Sequence, residues 1–144
     1  MITNSAKATQ ALGKKFVKKL KAGGVFGLVG ELGSGKTQFV KGLAQGLGIK
    51  QKITSPTFVL MRVYPVMQQG KSAKHKTIKR LVHVDAYRLK QPHHLQAIGL
   101  EDYLVDPTAL IVVEWADKVR SIMPRQAKII DFKHKSLLKR EISL

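Results

Sequence analysis

The sequence predicts an α/β fold: a single phosphate-loop domain over residues 1–144, with a mostly parallel central sheet flanked by helices and antiparallel strands at its edges. Three observations predict it. An apolar run at residues 25–29 leads straight into Gly30-Glu31-Leu32-Gly33-Ser34-Gly35-Lys36-Thr37, which satisfies the pattern G-x-x-x-x-G-K-[ST]. Residues 36–47 then put Phe39, Val40, Leu43, Ala44 and Leu47 on one helical face. Two later apolar runs, 81–84 and 109–113, each end on an acid, Asp85 and Glu114, as strands beside a phosphate loop do.

The elements follow in order. Residues 4–21 read as an amphipathic helix on the recurrence of Ala8, Leu12, Phe16 and Leu20, capped by Thr3 or Asn4 and ended by Gly23-Gly24. The first strand, the glycine loop and its helix come next, closing at Gly48. Residues 49–57 form a loop carrying Thr54-Ser55-Pro56-Thr57, and 58–66 a strand despite Pro65. A basic hairpin insertion spans about 67–80, followed by a strand within 77–84. A short helix is expected over 92–100, ahead of the acidic patch Glu101-Asp102-Tyr103. Residues 109–113 are the most strand-like run and belong in the sheet interior; 117–122 are helical. Residues 126–132 and 137–144 are late strands, expected at a sheet edge.

Composition narrows the class. At 44% hydrophobic residues the chain is an ordinary globular one, and no apolar run reaches the length of a membrane span. The absence of cysteine excludes disulfides, cysteine-ligated zinc and thiol catalysis. With no secretory signal at the first residues, a cytoplasmic protein is expected. The net charge of +17 is uneven: residues 1–84 hold 16 Lys/Arg against a single acid, Glu31, while residues 85–144 hold 10 against 8. Such asymmetry points to a polyanionic neighbour, RNA first, or to a solvated lysine-rich surface. Aromatic residues are not interleaved with the lysines as a base-stacking platform requires.

The glycine loop carries the chemistry. Its backbone N–H groups converge on phosphate oxygens, and the helix behind adds its positive end. Lys36 reaches the terminal phosphates and the Thr37 hydroxyl holds magnesium. A guanine-reading N-K-x-D element is absent and Asn4 is the only asparagine, so ATP is favoured over GTP. Asp85 and Glu114 are the candidate magnesium-site acids: either binds the metal directly or through its waters while the other orients the attacking water. A helix cap or loop anchor is the alternative for each acid taken singly. Thr54-Ser55-Pro56-Thr57 stands where a nucleotide-sensing switch would, with an ordinary turn as an equal reading. His83 alternates with apolar residues and reads as packed rather than catalytic, and His93-His94 show no metal-ligand spacing. Trp115, next to Glu114, is expected near the nucleotide.

Taken jointly, these blocks resemble the TsaE (YjeE) family, small ATPases of bacterial tRNA threonylcarbamoyladenosine synthesis. The resemblance covers about residues 5–132 and rests on Thr9 with Leu12-Gly13, the glycine loop, Ser55-Pro56-Thr57-Phe58, His83-Val84-Asp85-Ala86-Tyr87-Arg88-Leu89, Ile98-Gly99-Leu100-Glu101-Asp102-Tyr103 and Val113-Glu114-Trp115. It implies that Leu32, Gly33, Ser34, Gly35, Lys36 and Thr37 hold the phosphates of ATP, with Thr9 and Trp115 also in the nucleotide site. It further implies that Thr37 and Glu114 hold Mg2+, and that Asp85 is the acid needed for hydrolysis. Partner proteins TsaB and TsaD, and tRNA through their complex, are implied as well, with ATP hydrolysis resetting that complex between turnovers. Two departures stand out. The connection before Asp85 is longer than the family's and basic, a candidate tRNA contact. Where the family often carries a late Gly-Arg pair, this chain reads Lys135-Ser136-Leu137-Leu138-Lys139-Arg140, so Lys139 or Arg140 would substitute. The competing readings are a small-molecule phosphate-loop kinase, for which no arginine-rich lid is evident, and a nucleotide-independent RNA-binding module.

Overall fold

A computed structural model describes residues 1–67, 77–136 and 138–143. Their strands form one seven-stranded sheet in the order β1-β7-β6-β2-β5-β4-β3: β1 Ile2–Thr3, β2 Gly24–Gly30, β3 Met61–Pro65, β4 Arg80–Asp85, β5 Ala109–Glu114, β6 Lys128–His134 and β7 Arg140–Ser143. The four inner strands β6, β2, β5 and β4 run parallel, while β3 on one side and β7 and β1 on the other pair antiparallel. This is the mixed α/β sheet the sequence predicts. β5 lies between two parallel neighbours and is buried along its length, in keeping with its unbroken apolar run.

One face is covered by α1, Ala6–Val17, and α2, Lys36–Gly46. Here Phe39, Leu43, Leu28, Leu110, Val112 and Phe132 share a core cluster. The other face is covered by the short helices α3, His94–Ala97, and α4, Leu100–Leu104, and by a 3-10 helix, Ala116–Ile122, kinked at Val119. Its cluster includes Val82, Val84, Ile111, Val113, Leu95 and Leu100. Alternation along β4 and β5 divides the strands between the faces. Leu81, His83 and Asp85 share a side with Leu110, Val112 and Glu114, the side on which α2 lies.

Several expectations shift. Helix α1 is shorter than 4–21 and is capped by Ser5, whose Oγ accepts from Ala8 N at 3.0 Å. Its buried line is Thr9, Gly13 and Val17, one residue out of phase with the expected stripe, while Leu12, Phe16 and Leu20 pack half-buried beside it. The reason is a close helix crossing: a Cβ on Gly13 would lie 2.3 Å from Phe39 O, and one on Gly42 2.1 Å from Gln10 O. Small residues therefore take the contact line and the large ones flank it.

Strand β3 begins at Met61 rather than residue 58. Val59 N and Leu60 N both donate to Pro56 O, so Phe58 stays in a turn and is 81% exposed. The acids expected in a patch form the first turn of α4. β6 is not an edge strand, since β2 and β7 flank it; its alternation, with Ile130 and Phe132 buried, reports one covered face and says nothing of the edges. The outermost strand on that side is β1, too short to announce itself. The antiparallel pairing expected at the base of the basic hairpin is present, from Met61↔Val84 to Pro65↔Arg80. Its tip, residues 68–76, lies outside the described residues.

Candidate functional site

The strand order places the site. β2, β5 and β4 end side by side, and each leads into a loop at the same end of the sheet. Gly33 and Gly35 take positive φ, 75° and 101°, a conformation glycine adopts freely. Gly35 caps α2 without a side chain, so the first turn of that helix keeps its backbone donors facing the loop. A Cβ on Gly35 would also lie 3.0 Å from Arg140 Cδ. A cavity of about 440 Å³ opens over this loop, lined by Leu32, Gly33, Gly35, Lys36, Thr37, Ser55, Thr57, Asp85, Tyr87, Glu114, Trp115 and Arg140, with Ala6 and Gln38 at its margin. That volume suits a small-molecule ligand.

Lys36 is 4% exposed. Its Nζ donates to Gly30 O at 2.7 Å, Glu31 O at 2.9 Å and Ser34 Oγ at 3.4 Å. The indole of Trp115 closes its remaining side, with Nζ 4.0 Å from the ring centre. Burial pushes the Lys36 ammonium below its ordinary pKa, against the raising pull of Glu114, Asp85 and Asp117. The cation is thus held by loop carbonyls and a π face, with no direct ion pair to an acid among the described residues. A phosphate would supply the anion it lacks.

Asp85 and Glu114 are paired in register across β4 and β5, and each is 3% exposed. Buried carboxylates need donors, and both have them. Asp85 Oδ1 accepts from Tyr87 N at 2.9 Å, and Oδ2 from Thr57 Oγ1 at 2.7 Å and from Ser55 Oγ. Glu114 Oε2 accepts from Thr37 Oγ1 at 3.0 Å, and Oε1 lies 2.8 Å from His83 Nε2. Thr37, Glu114 and Asp85 thus gather hard oxygen donors beside the phosphate loop, the donor set magnesium prefers. Among the described residues no group of three or more His, Cys, Asp or Glu side chains could hold a metal alone.

Trp115 sits at φ 60°, rare for a bulky residue, at the start of the 3-10 helix. This turn carries the indole over Lys36 and within 5.0 Å of the Tyr87 ring, centre to centre.

The structure brings Leu32, Gly33, Gly35, Lys36, Thr37, Asp85, Glu114 and Trp115 to one cavity, with the buried Ser34 bonded beneath it to Lys36. Thr9 does not line this cavity. It is fully buried, its hydroxyl bonded to Thr3 Oγ1 at 2.9 Å and to Ser5 O at 3.2 Å, and a Cβ on Gly35 would lie 3.5 Å from its Cγ2. Within Thr54-Ser55-Pro56-Thr57, the serine and the second threonine engage Asp85, and Thr54 points elsewhere as an exposed residue. Of the two late basic candidates, Arg140 reaches the cavity; its Nη1 donates to Leu138 O at 3.0 Å, and its Nε has no partner among the described residues. Sequence reasoning missed the polar role of His83. The signal was present: His83 stands two residues before Asp85 on a strand, so both face the same side.

A family model for the threonylcarbamoyl adenosine biosynthesis protein TsaE matches residues 3–142. A Treponema pallidum protein named tRNA threonylcarbamoyladenosine biosynthesis protein TsaE is 37% identical over 143 residues, covering 99% of this chain and 97% of that one. A Streptomyces coelicolor protein of the same name is 43% identical over 74% of this chain, and the matched stretch spans 66% of that relative's length. The crystal structure of Bacillus subtilis YdiB superposes with a TM-score of 0.75 at 30% identity, covering 99% of this chain and 80% of that one. The chain belongs to the TsaE family.

Proposed function

We propose that this member of the TsaE family binds and hydrolyses Mg-ATP, and that it serves tRNA threonylcarbamoyladenosine biosynthesis as the ATPase subunit that resets TsaB–TsaD partners between turnovers in the cytoplasm. The observation that carries the reading is the convergence on one phosphate loop of a buried, anion-poor lysine, a hydroxyl and two hydrogen-bonded carboxylates.

Each group has a part. Lys36 and the backbone N–H groups of the loop and first turn of α2 bind the β- and γ-phosphates. Thr37 and Glu114 hold magnesium, which supplies charge neutralisation at the phosphate oxygens. Asp85, fixed by Ser55 and Thr57, orients the attacking water. Trp115 and Tyr87 form an apolar wall that keeps bulk water from Lys36. Arg140, which lines the cavity, takes the place of the family's late Gly-Arg pair. The hydroxyls of Ser55 and Thr57 join Asp85 to an exposed turn ending in Phe58, a route by which a docked partner protein would feel the state of the site.

The test is the steady-state ATP hydrolysis rate of the purified chain alone, with TsaB and TsaD from the same source, and with tRNA added. Slow turnover alone and stimulation by the partners, both lost in Glu114→Ala, are expected. RNA binding indifferent to nucleotide, with no partner effect, would sink the reading.

A further inference from the structure

His83 is the one fully buried imidazole in the described structure, and its polar contact is with a site acid. It sits on β4 opposite Val112, beneath the point where Asp85 and Glu114 pair. Because a carboxylate accepts, the 2.8 Å contact places a ring proton on Nε2. Nδ1 has no partner among the described residues. A histidine buried only to fill space would have no reason to spend its donor on this oxygen.

The geometry points to His83 as the positioning residue of the magnesium site: it donates to Glu114 Oε1 and thereby turns Oε2 toward Thr37 and the metal position. This rests on the Mg-ATP reading above. The physical need is that of a carboxylate at the end of a side chain. The last torsion of a Glu side chain is broad and roughly two-fold, so no rotamer well fixes the plane of its carboxylate. Hydrogen bonds must fix it, and Glu114 has one at each oxygen: Thr37 from the cavity side, His83 from the core side. Without His83, Oε1 is a buried anionic acceptor lacking a donor, and the carboxylate swings toward whatever donor remains. Thr37, already bonded to Oε2, is the donor that remains. A Glu114 carboxylate held at that one oxygen is no longer fixed in the plane that faces the metal position. Lys36 and the loop backbone are untouched by the change, so phosphate binding without metal should survive.

Three substitutions separate this role from simple packing. His83→Leu fills space without a donor. His83→Gln places an amide N–H at about the reach of Nε2, whereas His83→Asn is too short. Trp115 is the only tryptophan and lines the cavity, so its fluorescence reports occupancy. Magnesium is titrated into each protein saturated with a non-hydrolysable ATP analogue, and analogue binding is measured separately in EDTA. The magnesium midpoint should rise about 10–100-fold in the Leu and Asn variants. The Gln variant should stay near the wild type, and binding in EDTA should be equal in all four. Turnover at saturating ATP should follow the same order, so the loss falls on kcat more than on KM for ATP. Should the Leu variant fail to fold, the Gln and Asn pair still decides. Equal magnesium midpoints in folded wild type and Asn variant, or Gln as impaired as Asn, overturn the assignment. Failure of the wild type to bind the analogue at all would instead bring down the Mg-ATP reading, and this inference with it.

Discussion

The glycine-loop side of the cavity takes its groups from one stretch, Gly30 to Thr37, where a strand turns through a glycine loop into α2. The acid side is assembled from afar. Ser55 and Thr57 come from a loop, His83 and Asp85 from β4, Glu114 from β5, Trp115 from the turn after it, and Arg140 from β7. On the first side, spacing along the chain sets the geometry. On the second, strand register sets it: Asp85 meets Glu114 because Arg80 pairs with Ala109 five residues earlier. The two sides should therefore fail in different ways.

The largest effect is expected on the contiguous side. Lys36→Ala removes the charge that the loop holds for phosphate. Losing one partner of a buried, charge-assisted contact costs about 2–5 kcal/mol, so the Kd for ATP should rise about 30- to 5,000-fold, with or without magnesium. Isothermal titration checks this, and a Kd within a few-fold of wild type would break the contrast. On the assembled side, Glu114→Gln should spare ATP binding in EDTA and lower kcat by about 100-fold. Single-turnover hydrolysis distinguishes that from a binding defect. Arg140→Ala should be milder, about tenfold in Kd, the scale of one hydrogen bond to a charged group.

The smallest effect concerns what sets the register. Asp106 Oδ1 accepts from Thr108 Oγ1 at 2.6 Å and Thr108 N at 2.8 Å, and Oδ2 pairs with Arg80 Nε at 3.2 Å. These contacts tie the start of β5 to the start of β4. The Thr108 hydroxyl first, its N–H next, and the Arg80 charge less hold the Asp106 carboxyl below its ordinary value of 3.8. The folded state thus binds this proton less readily than the unfolded one. The stabilisation is present above that ordinary value and is lost as pH falls through the depressed one. A Tm gap of a few degrees or less between wild type and Asp106→Ala should therefore be present at pH 7 and shrink on acidification below the carboxylate range. A gap that ignores pH would mean that the backbone turn, rather than the charge, starts β5.

The same division governs what could be read beforehand. Helix α2 lies where its 3.6-residue pattern puts it, with Phe39, Val40, Leu43 and Ala44 buried, because a single face against the sheet is a local property. Helix α1 slipped one residue, because its packing line is chosen by Gly42 on another helix. The inner place of β6 is not legible locally, because alternation reveals a covered face but not a neighbour. Thr9 is a nucleotide contact by resemblance alone, and only the tertiary structure shows its hydroxyl bonded to Thr3 and Ser5.

By itself the sequence determined the phosphate loop, the strand and helix around it, the two acids at strand ends and the uneven charge, since each depends on residues close together in the chain. Only the tertiary structure decided that His83 holds Glu114, that Ser55 and Thr57 hold Asp85, that Trp115 covers Lys36 and that Arg140 reaches the cavity. Those contacts join residues 28 to 79 positions apart or arise from the last strand, and nothing in local spacing fixes which strands become neighbours or in what register.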